Sequence, residues 1–189
     1  MNPEINSTNK IFQVDENIVL RQLLLEDYLD IFSVIDRQRE YLAEWLPFID
    51  STKEPDDTKR FVEETVNQTG DRFEYVFTIR YKDQFAGLVG FKATDKQNRR
   101  TELGYWLSRD LQGEGIVTKC VERLCRFAFD ELNMNRIQVR CAVGNVKSRA
   151  IPHSLGFVFE GVERDGELSN KGVFRDIECY SRLKRENRF

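Results

Sequence analysis

The sequence predicts an α/β domain built on a mixed, mostly antiparallel sheet with helices on its flanks. Two patterns carry this reading. Residues 73–107 alternate apolar and polar side chains in three segments, separated by turn residues at 82–84 and 95–98, which reads as a three-stranded meander. Beyond it, a strand-like run at 101–108, an amphipathic helix and a second alternating run at 137–143 form strand, crossover helix and strand. That order implies a parallel pair joined right-handedly.

The elements follow in order. Residues 18–23 read as a first strand, and residues 25–37 carry Tyr28, Leu29, Phe32 and Ile35 at helical spacing. A short helix at 41–46 is stopped by Pro47. Asp56 or Asp57 caps a further helix running to about Gln68, with Phe61, Val62 and Val66 inward and Gly70 as its stop. The meander follows, and Gly104 within its third strand suggests a bulge or a close backbone approach. Val117, Val121, Leu124, Ala128 and Leu132 share one face of the crossover helix. Gly144-Asn145 leads into a short helix ending at Leu155-Gly156, and 157–160 and 174–183 read as the last strands.

A chain of 189 residues fits one domain, taken as 1–189, with the first ten residues as a loose polar terminus. Net charge is −3 and no basic stripe is visible, so a nucleic-acid partner is not expected. No apolar run is long enough for a membrane span, and no signal-peptide core precedes the domain. The four cysteines show neither C-x-x-C nor metal spacing and read as buried thiols of a reducing cytoplasm. With one histidine, His153, neither a His-rich metal site nor a Ser-His-Asp triad is expected, and the expected metal content is none.

The most informative segment is Gln112-Gly113-Glu114-Gly115-Ile116-Val117-Thr118, at a strand-to-helix turn. Glycines there leave backbone N–H groups uncovered, and the helix N-terminus adds partial positive charge, which suits a pyrophosphate. Glycines also gather at turns for steric reasons alone. A Rossmann site is not supported, because no acidic residue follows at the required distance. A P-loop is not supported either, since no G-K-[ST] is present.

Four segments in order carry a family likeness: Glu102-Leu103-Gly104-Tyr105-Trp106-Leu107, Gln112-Gly113-Glu114-Gly115-Ile116, Gly144-Asn145-Val146-Lys147-Ser148, and Leu155-Gly156-Phe157 with Glu160-Gly161. On these the chain resembles the GCN5-related N-acetyltransferases (GNAT) of the RimJ/RimL type, over nearly its whole length. The resemblance implies a splayed parallel pair at the centre of the sheet and acetyl-CoA as acetyl donor. The pyrophosphate would lie on the backbone of 113–118, and the pantetheine beside Tyr105, Trp106 and Leu107. Gln112 and Gly115 match the family's loop pattern; Val117 stands where a small residue is usual. Lys119, Arg123 and Lys147 are candidates for the CoA phosphates or for solvated surface. Asn145 and Ser148 are the matching pantetheine and sulfur-side residues, and both equally suit a helix cap and first turn.

Direct transfer in a ternary complex is expected rather than a cysteine-linked acetyl intermediate, because none of the four cysteines sits in a readable His-paired or electropositive site. An amine must lose a proton and the departing thiolate must gain one. Glu102 and Glu167, the latter expected in the loop beyond Glu160-Gly161, are candidate bases alongside a water relay. Ser148 and Tyr180 are candidate donors to sulfur, and Tyr180 could instead be a core or rim aromatic. Pro152 lies four residues after Ser148 and has no N–H, so the Ser148 carbonyl is freed toward cofactor or water, or the helix is simply kinked there. Trp45 to Phe48 can line an acceptor groove or belong to the core. The expected acceptor is a protein N-terminal α-amine. A polyamine or aminoglycoside-like amine is the alternative, and a non-catalytic CoA-binding module or a nucleotide-binding protein are further ones. A homodimer is common among similar proteins.

Overall fold

The computed structural model describes residues 9–68 and 74–186. Eight strands form one sheet: β1 (Ile11–Gln13), β2 (Ile18–Gln22), β3 (Val76–Tyr81), β4 (Gln84–Asp95), β5 (Arg100–Leu107), β6 (Arg136–Ala142), β7 (Val158–Leu168) and β8 (Phe174–Leu183). They run in the order β1-β2-β3-β4-β5-β6-β8-β7. All neighbours pair antiparallel except β5 and β6, which are parallel as the crossover pattern predicts.

Helices α1 (Tyr28–Arg37), α2 (Arg39–Ala43) and α3 (Pro55–Val66) fill the connection from β2 to β3, α4 (Ile116–Arg126) joins β5 to β6, and α5 (Val146–Ser154) precedes β7. Strand alternation splits the core between the two faces of the sheet. Leu20, Phe77, Leu103 and Leu107 pack with Val121 and Leu124 of α4. Leu88 and Trp106 pack with Ile31, Ile35, Leu42 and Val62 of α1, α2 and α3. The two chemical halves of β5 therefore face different helical layers.

Several elements differ from the sequence reading, each for a local reason. Strand β1 is three residues long, too short to show a period. The α3 cap is neither Asp56 nor Asp57. Pro55 takes the first helical position, and Asp57 Oδ2 reaches back to accept the amides of Lys53 and Glu54 at 2.9 and 3.2 Å. Phe61 faces outward, at 43% exposure, while Val62 is fully buried. After α4 the chain widens into a π turn over Phe127–Glu131, with Leu132 N–H bonding Phe127 O at 3.1 Å. Three consecutive residues of this turn, Phe127, Ala128 and Phe129, are buried, which a single apolar stripe at helical spacing does not show. Strand β7 runs on to Leu168 through two register shifts and a Gly161 φ of 143°, so it shows no alternation to read. Gly70 and Phe73, read as a helix stop and a strand start, lie outside the described residues, as does most of the loose terminus. Among the described residues no helix is long and apolar enough to cross a membrane.

Candidate active site

Strands β5 and β6 pair only from Arg100↔Arg136 to Leu103↔Val139. From Gly104 onward β5 is held by β4 alone, and residues 140–142 of β6 by β8 alone. Two strand edges thus face each other across a widening slot, each with backbone groups free to bond a ligand. Gly104 is the first residue past the split. Its own ladder to β4 is regular at Gly104↔Gly90, and the shift in that ladder falls between Lys92 and Asp95. Of the two readings of Gly104, a bulge or a close backbone approach, neither is met within the described residues: the strands part there, and the nearest atoms to a Cβ would be side-chain atoms of Lys92.

A cavity of about 1710 Å³ passes through the slot. It is lined by Tyr105, Trp106, Leu107, Gln112, Gly113, Gly115, Ile116, Val117, Thr118, Asn145 and Ser148; of the residues read as pyrophosphate-turn and pantetheine contacts, Glu114 alone stays outside it. Gly113 and Gly115 have φ of 86° and 70°, and a Cβ on either would meet no atom within 4 Å. Both are thus glycine for backbone conformation and for the open space above the turn. The first α4 bond runs from Lys119 N–H to Gly115 O at 3.1 Å, which leaves the amides of Ile116, Val117 and Thr118 without an intrahelical acceptor. No acidic residue occupies that first turn. Open amides, a helix N-terminus and uncovered glycines fit the pyrophosphate of acetyl-CoA. Val117 keeps most of its side chain in the core, at 8% exposure. Of the three candidate phosphate cations only Lys147 lines the cleft, where its ammonium meets Gln112 Oε1 across the mouth. Lys119 bonds Asp15 at 2.6 Å, and Arg123 lies 3.8 Å over the Phe12 ring.

On the far side of the slot, Asn145 caps α5, its Oδ1 accepting the Ser148 amide at 3.1 Å. The Ser148 carbonyl, which loses its helical donor to Pro152, accepts the Tyr105 hydroxyl at 3.1 Å. The expected release of that carbonyl to ligand or water is replaced by a tie from α5 to β5. The Ser148 hydroxyl in turn donates to the Tyr105 oxygen at 3.4 Å. Burial raises the Tyr105 phenol well above its ordinary range. The sequence held the signal for this tie, a proline four residues after Ser148, but not its partner.

The opposite sheet face carries the acceptor-side candidates. Glu102 lines the cleft at 8% exposure, with Lys92 Nζ 2.9 Å from Oε1 and Arg140 4.0 Å from Oε2. Oε1 nevertheless has no well-directed hydrogen bond. Arg140, read only as the polar side of a strand, also lines the cleft and pairs with Glu163 at 2.5 Å. Glu167 reaches the cleft from β7, not from a loop as expected, and Arg175 binds its Oε2 through Nε and a terminal nitrogen at 2.9 and 2.5 Å. Tyr41, Trp45, Phe48 and Phe61 form an aromatic wall opposite. Tyr180 is not brought to the cleft: it is buried, and its hydroxyl donates to Glu178 at 2.9 Å. Burial pushes the thiols of Cys120 and Cys125 up to about 12 and that of Cys141 up to about 11, which leaves none of them a ready nucleophile.

A sheet split at its one parallel pair, a glycine anion cradle at the split and a carboxylate across it define an acyl-transfer site. Comparison with known proteins gives the family. The acetyltransferase (GNAT) domain model matches residues 17–158. The chain is 34% identical over 175 residues, 92% of its length and 95% of the other, to the Bacillus subtilis (strain 168) protein "Putative ribosomal N-acetyltransferase YdaF". It is 28% identical over 106 residues, 56% of each chain, to spermidine N(1)-acetyltransferase of Escherichia coli (strain K12). The crystal structure of RimL, a ribosomal L7/L12 α-N-protein acetyltransferase in complex with coenzyme A, shares the fold with a TM-score of 0.89 at 21% identity, covering 94% of this chain and 100% of that one. The chain belongs to the GNAT acetyltransferase family. It is an N-acetyltransferase with acetyl-CoA as donor.

Proposed function

We propose that the acetyl group goes to the α-amine of a protein N-terminus. The observation that carries this is the acceptor wall: Phe48 and Phe61 stay 44% and 43% exposed, yet they line the cleft beside Tyr41 and Trp45. Exposed aromatic rings suit the side chains of an extended peptide, and carboxylates of the same lining, among them Glu44, Glu64 and Glu102, suit its α-ammonium group. Acetyl-CoA supplies the activated acyl group. Glu102 takes the ammonium proton from the acceptor, directly or through one water, so that a neutral amine faces the slot. Glu167, already bound to Arg175, orients the ammonium at the rim. The Ser148 hydroxyl lies where the slot meets α5 and turns its single hydrogen from the Tyr105 oxygen to the departing sulfur.

A small amine is the second reading, and it is favoured by the spermidine-acetylating relative. Mass spectrometry of the products separates the two. Short peptides with a free α-amine and one internal lysine, the same peptides with the α-amine blocked, and spermidine are offered with acetyl-CoA. The proposal expects a single acetyl group on the free α-amine and none on the blocked peptide. Turnover on spermidine alone would overturn it.

A further inference from the structure

Helix α2 is five residues long and carries no basic residue in its last turn, so its C-terminal carbonyls need donors from elsewhere. The hairpin between β7 and β8 supplies them. Asn170 Nδ2 donates to Ala43 O at 3.0 Å and to Leu46 O at 3.2 Å. The Arg175 guanidinium donates to Glu44 O at 2.9 Å and to Trp45 O at 3.3 Å. Four consecutive carbonyls are thus met by two side chains more than 120 residues away in sequence. The positive charge of Arg175 also complements the negative end of the helix.

The same guanidinium binds Glu167 and lies 5.8 Å from the Trp45 ring centroid. Glu44, Trp45, Leu46 and Glu167 all line the cleft, whereas Asn170 and Arg175 stand behind that lining. At its tip Trp45 comes within 4.0 Å of the point where a Cβ on Gly144 would stand, at the entry to α5. The turn of the hairpin is itself fixed, with Ser169 and Val173 joined by a 3.0 Å backbone bond and Gly172 N–H bonded to Ser169 O at 2.9 Å.

We propose that Asn170 and Arg175 are positioning residues that clasp the end of α2 to the β7–β8 hairpin, and so set the acceptor wall formed by Trp45 and Glu167. This rests on the reading of that side of the cleft as the acceptor side. Among the described residues the bonds of Asn170 and Arg175 go to residues 43–46 and to Glu167 and to none of the donor contacts, so the loss of either side chain weakens acceptor binding and leaves the donor alone.

The test measures KM for acceptor peptide and for acetyl-CoA separately in Arg175→Met, Asn170→Ala and Arg175→Lys, with hydrogen exchange of residues 43–49 on the same samples. The expected result is an acceptor KM raised about tenfold in Arg175→Met, the size that losing charge-assisted bonds gives. A smaller rise in Asn170→Ala and an intermediate one in Arg175→Lys are expected, with KM for acetyl-CoA unchanged and faster exchange at Trp45 and Leu46. Faster exchange with an unchanged acceptor KM would overturn the proposal, leaving the clasp a brace only. Unchanged exchange would overturn it as well. If Arg175→Met fails to fold, Asn170→Ala decides, since it leaves Glu167 bound. Absence of wild-type turnover on any amine would instead overturn the acceptor reading, and the proposal with it.

Discussion

Ser148 shows how one missing hydrogen shapes the site. Its carbonyl cannot be served by residue 152, a proline, and is served by the Tyr105 hydroxyl from the neighbouring strand. Tyr105→Phe leaves that carbonyl short of a donor, at a cost of about 1–3 kcal/mol in a urea-unfolding experiment. The same change in a Pro152→Ala background costs clearly less, because the helical donor is restored; equal losses in the two backgrounds would rule the tie out. Tyr180 gives a second residue-scale test. Burial, then the hydrogen bond to Glu178, push its phenol up to about 12 from the ordinary 10.0. A raised folded-state value means that the stability linked to this group is fully present below pH 10 and is lost as pH rises toward 12. The stability advantage of wild type over Tyr180→Phe therefore shrinks across that window, as unfolding curves at a series of alkaline pH values would show. An advantage that stays level would mean that the phenol is not held in this way.

At the scale of elements, two glycines on adjacent strands sort themselves by what a methyl would meet. A Cβ at Gly87 would stand 2.1 Å from the Trp106 carbonyl oxygen, at the irregularity where β3 and β4 shift register. At Gly104 the nearest atom is the flexible Lys92 Cε at 3.4 Å. Gly87→Ala therefore costs more than about 3 kcal/mol, and Gly104→Ala less than about 1 kcal/mol, in the same unfolding assay. Comparable losses would show that the β4–β5 contact is looser than described. Sequence periodicity found the strands that alternate and the helices with one apolar face. It missed β1, which is too short, it stopped β7 at residue 160 because the rest of that strand is bulged and exposed, and it ran the crossover helix through the π turn. The glycine turn was legible because φ above zero and an uncovered amide both demand glycine.

For the molecule as a whole, what was legible was order: meander, glycine turn, crossover helix, strand. Order alone gave the parallel pair; the splay that opens the slot followed only from the family likeness. Contacts between distant segments were not legible, because nothing local marks them. Arg175 on Glu44 and Trp45 depends on how the last two strands fold back, and Arg140 beside Glu102 on how β5 and β6 pair. The account as a whole rests on the donor lying over the glycine turn and in the gap between β5 and β6. The most direct measurement is calorimetric titration of acetyl-CoA into wild type and into folded Gly115→Trp, with CoA, ATP and NAD as controls. The expected result is micromolar binding of acetyl-CoA and CoA by wild type, no binding of ATP or NAD at those concentrations, and loss of binding in the variant. Equal binding by the folded variant, or none by wild type, would contradict it.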